Sequence, residues 1–131
     1  RIAKDKMADD YNHFTVCRKI FLDNCKGLRG IQINSNSDYT FPGILNISVK
    51  GLHAESIIYD MRIVAVSRGS ACTSDNEESS HVLKAIGLSQ NLINGTIRFS
   101  FGRNTTLEEA QFASELFGNS VNRLNRLRGI K

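Results

Sequence analysis

Between Gly95 and Gly102 the chain reads GTIRFSFG, in which Ile97, Phe99 and Phe101 alternate with Thr96, Arg98 and Ser100. Strict alternation marks a β-strand whose two faces meet different surroundings. One face needs apolar cover, and the other carries a guanidinium. The fold must therefore contain a sheet with one covered face, and the rest of the chain must supply the cover.

Partner strands are legible nearby. ILNISVKG (Ile44 to Gly51) sets Leu45, Ile47 and Val49 on one face, and IQINS (Ile31 to Ser35) alternates in the same way. RIVAVS (Arg62 to Ser67) is β-branched and apolar, which predicts a buried strand. The cover comes from two long helices. In the first, Ala3, Met7, Tyr11, Phe14, Cys17, Phe21, Cys25 and Leu28 form one apolar stripe at helical spacing, ended by the glycines of KGLRG. The last helix opens at TTLEEA, where Thr105 with Glu108 and Thr106 with Glu109 both fit a capping box. Its apolar face runs Ala113, Leu116, Phe117, Val121, Leu124 and Leu127.

Shorter helices are expected at HAESIIYDM and at EESSHVLKAIG, the latter with Val82, Leu83 and Ile86 on its apolar face. The only proline, Pro42, lies in the turn-rich SNSDYTFPG. The order predicts an α+β two-layer sandwich, with a small mixed or antiparallel sheet between long terminal helices. Residues 1–131 form a single domain, since a chain of 131 residues suits one core without disulfide staples.

Charge and composition exclude several classes. The net charge of +4 is local: Arg123, Arg126, Arg128 and Lys131 crowd the C-terminus, where cations complement a helix dipole. No basic run is interleaved with aromatics, so no nucleic-acid partner is expected. No stretch has the length of a membrane span, so no membrane association is expected either. Three cysteines cannot all pair within one chain, and Cys17 and Cys25 lie roughly 12 Å apart on one helix, beyond disulfide reach. A reducing, cytoplasmic compartment is expected.

The candidate chemistry lies in SRGSACTSDNEESS, Ser67 to Ser80. Gly69, Ser70 and Ala71 leave Cys72 unwalled. Asp75 as N-cap, with Glu78 three residues on, places the cysteine just before a helix N-terminus. That dipole end, with Arg68 nearby, favours the thiolate, whereas Glu77 and Glu78 oppose it. The alternative is a strand-to-helix turn in which a small cysteine merely fits. Arg98, mid-strand on the face opposite the apolar side chains, also has two readings. It forms an ion pair with a nearby glutamate, or it is a planar fork for a ligand carboxylate.

Other residues point to structure. His13 and Cys17 have a metal-capable i, i+4 spacing, but no further ligand pair accompanies them, and Cys17 belongs to the core stripe. His81 sits in a helix with no orienting third group. His53 reads as a surface or capping residue. The glycines near Cys72 lack a P-loop ending, so no phosphate cradle and no metal is expected in this chain.

SRGSACTS, then SHVLKAIGL, then TIRFSFGRNTTLEEA, resembles the C-terminal part of cysteine desulfurases of the NifS/IscS type, in the pyridoxal-phosphate-dependent class V aminotransferase family. FPGILNISVKGLHAESII resembles the segment preceding their active-site loop, and the match is densest from Phe41 to Ala110. The resemblance implies the small-domain fold of fold-type I pyridoxal-phosphate enzymes. It also implies that Cys72 is the nucleophile, accepting sulfur from L-cysteine as a persulfide while alanine is released. Arg98 would hold the substrate carboxylate, while Ser70, Ala71, Thr73 and Ser74 shape the loop. The persulfide would pass to an acceptor such as an iron–sulfur scaffold, for cluster or thio-cofactor biosynthesis, and the full-length enzyme would be a homodimer.

The resemblance also marks departures. The family binds pyridoxal 5'-phosphate through a lysine following a histidine in a larger N-terminal domain, and no lysine here follows a histidine. Arg1 opens the chain without methionine or cap, and the tail stops at RLRGIK, so this is expected to be the C-terminal domain alone, inactive by itself. Arg68 stands where a small residue is usual. The alternatives are a stand-alone sulfur carrier or interaction module without pyridoxal-phosphate chemistry, and a class V aminotransferase relative that has lost desulfuration.

Overall fold

The computed structural model describes residues 2–35, 38–68 and 81–129. In chain order the elements are α1 (Ile2–Asp5), α2 (Met7–Cys25), β1 (Ile31–Ile33), β2 (Ile44–Val49), α3 (Ala54–Asp60), β3 (Ser67–Arg68), α4 (His81–Ala85), α5 (Gln90–Asn94), β4 (Thr96–Ser100) and α6 (Leu107–Leu127). The strands form one sheet in the order β1-β2-β4-β3, with every neighbouring pair antiparallel. This is the expected α+β two-layer sandwich, with the antiparallel alternative realised.

The alternation of the central strands decides what the helices cover. Leu45, Ile47 and Val49 of β2 and Ile97 and Phe99 of β4 are buried on one face. Against them pack Cys17, Phe21 and Cys25 from α2 and Ala110, Phe117 and Val121 from α6. Phe21 is the hub: its ring centroid lies 4.3 Å from that of Phe99 and 5.8 Å from that of Phe117. Burying such a side chain contributes roughly 1.5–3 kcal/mol, so this cluster holds the two layers together. Asn24 Nδ2 also donates to Ser114 Oγ at 2.7 Å, tying α2 to α6 beside the apolar contacts.

Of the two capping boxes allowed at TTLEEA, the structure uses Thr106 with Glu109. Glu109 N donates to Thr106 Oγ1 at 3.1 Å, and Thr106 N donates to Glu109 Oε2 at 2.8 Å. Thr105 instead accepts from Gly102 N at 2.9 Å, closing the turn after β4.

Four expectations need correction. The first stripe is one helical run with an irregularity at Lys6, but only its second half reaches the core. Met7 is 69 % and Tyr11 51 % exposed, because that end of α2 extends past the sheet. Leu127, 72 % exposed, likewise runs beyond the core at the other end of α6. RIVAVS is a strand only at its last residue. The chain must turn back from α3 to the sheet, and Met61 to Val64 make that turn, with Val64 N donating to Met61 O at 2.8 Å. On α4, Leu83 is buried while Val82 and Ile86 are exposed, since the described part of the helix presents one residue inward. The helix α5 was not foreseen. Its five residues fit between Leu88 and Gly95, where Thr96 Oγ1 donates to Leu92 O at 2.8 Å.

Candidate functional site

The face of the sheet opposite the two long helices gathers the polar half of every strand pattern. Opposed residues of an antiparallel pair point to the same face, so the register sorts these side chains into rows. In one row Asn46 of β2 stands across from Arg98 of β4, and Arg98 stands across from Ser67 of β3. Asn34, just past β1, extends this row, its N–H donating to Asn46 O at 2.9 Å. The second row is Gln32, Ser48 and Thr96.

The rows are stitched by side-chain hydrogen bonds. Asn34 Nδ2 donates to Asn46 Oδ1 and to Ser48 Oγ, each at 2.7 Å. Gln32 Nε2 donates to Asn34 Oδ1 at 3.2 Å. Ser48 Oγ and Thr96 Oγ1 are 2.7 Å apart and buried. Beneath this corner, Arg18 of α2 is 6 % exposed and donates to Ile44 O and Ser35 O, each at 3.0 Å. Burial pushes its guanidinium down from the ordinary value.

Arg98 is exposed at the centre of the sheet, as alternation predicts. Among the described residues no carboxylate lies within salt-bridge distance of it, while Asp75, Glu77 and Glu78 lie outside those residues. Its partners in the register, Asn46 and Ser67, are neutral, as is Thr96 two residues before it on the same face. An exposed guanidinium with no acid beside it among the described residues suits a planar anion such as a carboxylate.

Cys72 and its neighbours Ser70, Ala71, Thr73 and Ser74 lie outside the described residues, as does the N-cap proposed at Asp75 with Glu77 and Glu78. The residue entering that segment is placed: Arg68 pairs with Ile97 in the sheet, and its guanidinium forms a salt bridge with Glu55 of α3. Part of the charge expected to favour the Cys72 thiolate is thus engaged by a carboxylate.

The remaining candidates are structural. Cys17 is fully buried, with Sγ 3.7 Å from His13 Nε2, and that nitrogen is 2.7 Å from Thr105 O. Burial raises the Cys17 thiol and pushes Cys25 up to about 12. Among the described residues no group of three His, Cys, Asp or Glu is arranged to hold a metal ion. His53 occupies the N-cap position of α3 without a side-chain capping bond. His81 lies in α4, at the edge of the described residues. Asn34, Asn46, Ser48 and Thr96 were missed by sequence reasoning. Their signal was present in the same alternation that revealed the core: Asn46 and Ser48 are the polar residues between Leu45, Ile47 and Val49, and Asn34 and Thr96 flank Ile33 and Ile97.

This architecture is shared with solved NifS-like proteins. One from Rickettsia africae ESF-5 superposes with a TM-score of 0.78 at 19% identity, covering 92% of this chain and 31% of that one. Another NifS-like protein gives 0.75 at 20% identity, over 96% of this chain and 30% of its own. At those identities the likeness is one of fold. Sequence carries the assignment further. The chain is 41% identical over 127 residues to the cysteine desulfurase IscS of Neisseria gonorrhoeae, and 42% identical over 127 residues to that of Buchnera aphidicola. Each alignment takes in 97% of this chain and 31% of the relative. The chain matches no protein-family model. It aligns with the C-terminal part of NifS/IscS-type cysteine desulfurases and spans about 31% of their length.

Proposed function

We propose that this chain is the cysteine-bearing domain, residues 1–131, of a pyridoxal-phosphate-dependent cysteine desulfurase. The observation that carries the reading is the placement of Arg98. It is an exposed cation without an acid partner among the described residues, on a strand hydrogen-bonded to the one that runs into the Cys72 segment. Four residues of extended chain span at most about 14 Å, which tethers Cys72 to the neighbourhood of Arg68 and so of Arg98. The relatives named cysteine desulfurase support the same reading.

The chain contributes two groups. Arg98 binds the α-carboxylate of L-cysteine through paired N–H donors and fixes the substrate on the sheet face. The Cys72 thiolate attacks the substrate sulfur. A sulfur–sulfur bond forms as the substrate's carbon–sulfur bond breaks, and the electron pair stays with the amino-acid fragment, which takes a proton and leaves as alanine. Cys72 then carries the persulfide to an acceptor protein such as an iron–sulfur scaffold. Ser70, Ala71, Thr73 and Ser74 shape the loop that carries it.

Bound pyridoxal 5'-phosphate supplies the electron sink that lets a carbon–sulfur bond open. The described polar face offers amides, hydroxyls and one guanidinium but no amine for a Schiff base, so these residues do not fit as its cradle. Its lysine is assigned to a part of the enzyme outside this chain. The reading also includes a homodimeric parent working in a reducing cytoplasm. No helix among the described residues is long and apolar enough to cross a membrane.

The test uses the full-length protein containing this segment, supplied with L-cysteine. Cys72→Ser should abolish both alanine release and persulfide labelling, while Arg98→Ala should raise KM for L-cysteine. Unchanged alanine release in the Cys72→Ser protein would overturn the proposal.

A further inference from the structure

Asn46 stands opposite Arg98 in the register of β2 and β4, and the surrounding hydrogen bonds settle which end of its amide is already engaged. Thr96 Oγ1 donates to Leu92 O, so it receives the proton of Ser48 Oγ across the 2.7 Å gap. Ser48 Oγ therefore accepts from Asn34, which fixes Asn34 Nδ2 toward β2. Gln32 Nε2 occupies the other end of the same amide, Asn34 Oδ1. Both protons of Asn34 Nδ2 are then spent on Ser48 Oγ and Asn46 Oδ1. Asn46 must present its oxygen to Asn34, so the end of its amide left for another partner is the donor Nδ2, on a residue paired in register with Arg98. A directed relay anchored on a backbone carbonyl thus sets the orientation of an amide four side chains away.

The consequence is chemical. Had Asn46 offered its oxygen to Arg98, it would have been an internal acceptor for the guanidinium. Two donors cannot satisfy one another, and among the described residues Asn46 Nδ2 has no hydrogen-bond partner. Arg98 and the Asn46 amide are neighbouring donors in need of one shared acceptor. We infer that Asn46 is a second ligand for the amino-acid carboxylate, held in donor orientation by the Asn34–Ser48–Thr96 relay. The inference rests on the proposal that Arg98 binds that carboxylate. It adds a specificity role, because a ligand must offer two acceptor oxygens in one plane to satisfy both groups.

The experiment compares three variants of the full-length protein by KM and kcat for L-cysteine and by calorimetric affinity for L-alanine. Asn46→Asp is isosteric and still accepts from Asn34, but it replaces the donor with a second carboxylate beside Arg98. It should raise KM and weaken alanine binding by about 10- to 100-fold with kcat little changed, the scale of a lost charge-assisted hydrogen bond. Asn46→Ala, which adds no charge, should raise KM about fivefold and serves if the aspartate variant does not fold. Unchanged KM and alanine affinity in whichever Asn46 variants fold, with Arg98→Ala weakening both, would overturn the role of Asn46 and leave that of Arg98 standing. If Arg98→Ala itself changes neither, the carboxylate reading fails and this inference falls with it.

Discussion

Arg103 and Asp10, 93 residues apart in the chain, are joined by a two-nitrogen clamp. Arg103 Nε donates to Asp10 Oδ1 at 2.8 Å and Nη2 donates to Oδ2 at 2.5 Å. The clamp fastens the end of α2 that overhangs the sheet to the turn following β4, at the place where apolar cover has run out. His13, one turn further on, meets Thr105 O of the same turn.

That clamp has a pH signature. The hydrogen bond from Arg103 holds the Asp10 carboxyl below its ordinary value, with burial opposing and the nearby charge of Arg103 adding to the effect. A depressed folded-state pKa stabilises the fold above the unfolded pKa, and the contribution is lost as pH falls through the folded value. Anchoring of this end of α2 should therefore persist at neutral pH and loosen in acid. Titration of the Asp10 carboxyl by NMR should show a depressed midpoint that returns to the ordinary range in Arg103→Ala. An unchanged midpoint in that variant would remove the clamp from the account.

The cysteines should separate by reactivity. Burial raises the Cys17 thiol and takes Cys25 to about 12, so neither supplies thiolate at mildly alkaline pH. Among the three cysteines of this segment, brief treatment of the native protein with iodoacetamide should label Cys72 alone, and neither remaining cysteine in Cys72→Ser. Denaturation should open all three of them to label. Native labelling of Cys17 or Cys25, read by peptide mass, would contradict the burial assigned to α2.

Gly95 should be irreplaceable for steric reasons. A Cβ there would lie 2.2 Å from Val49 O and 2.7 Å from Leu52 O, both backbone atoms that cannot rotate away. Gly95→Ala should destabilise the fold by about 3 kcal/mol, at the upper end of overpacking, measured by urea denaturation. By contrast, a Cβ at Gly118 would sit 3.7 Å from the Leu28 methyls, an ordinary contact. Gly118→Ala should be tolerated or slightly stabilising, because alanine is the better helix former by about 1 kcal/mol.

The two threonines at the start of α6 should behave differently. Thr106→Ala removes the N-cap and should cost about 1 kcal/mol, with loss of helical ellipticity in the first turn. Thr105→Ala removes only the Gly102 turn contact and should leave the helix start intact. Equal effects on helix content would mean that the capping box is shared.

Much of this could be read along the chain, because local rules carried it. Alternation at Leu45, Ile47, Val49 and at Ile97, Phe99 identified the central strands and their buried face. It also put Arg98 on the other face without knowledge of any partner. The Thr106 capping box is a spacing of three residues, and the motif around Cys72 with the Arg98 strand indicated the family to which similar sequences then pointed. These features depend on neighbours within a few residues.

Tertiary structure decided what each surface meets. Met7, Tyr11 and Leu127 continue their stripes faultlessly, yet stay exposed because the sheet ends before they do. RIVAVS has strand composition, but the return from α3 requires a turn there, and only Ser67 and Arg68 reach β4. The salt bridge that engages Arg68 needed Glu55 brought to it from another element. The row joining Asn34, Asn46, Arg98 and Ser67 exists only in the register of a folded sheet, where residues dozens of positions apart become side-chain neighbours. By itself the sequence determined which residues want burial and which carry chemistry. Only the packed sheet determined which of them stand together, since strand pairing is a non-local choice made by the whole core.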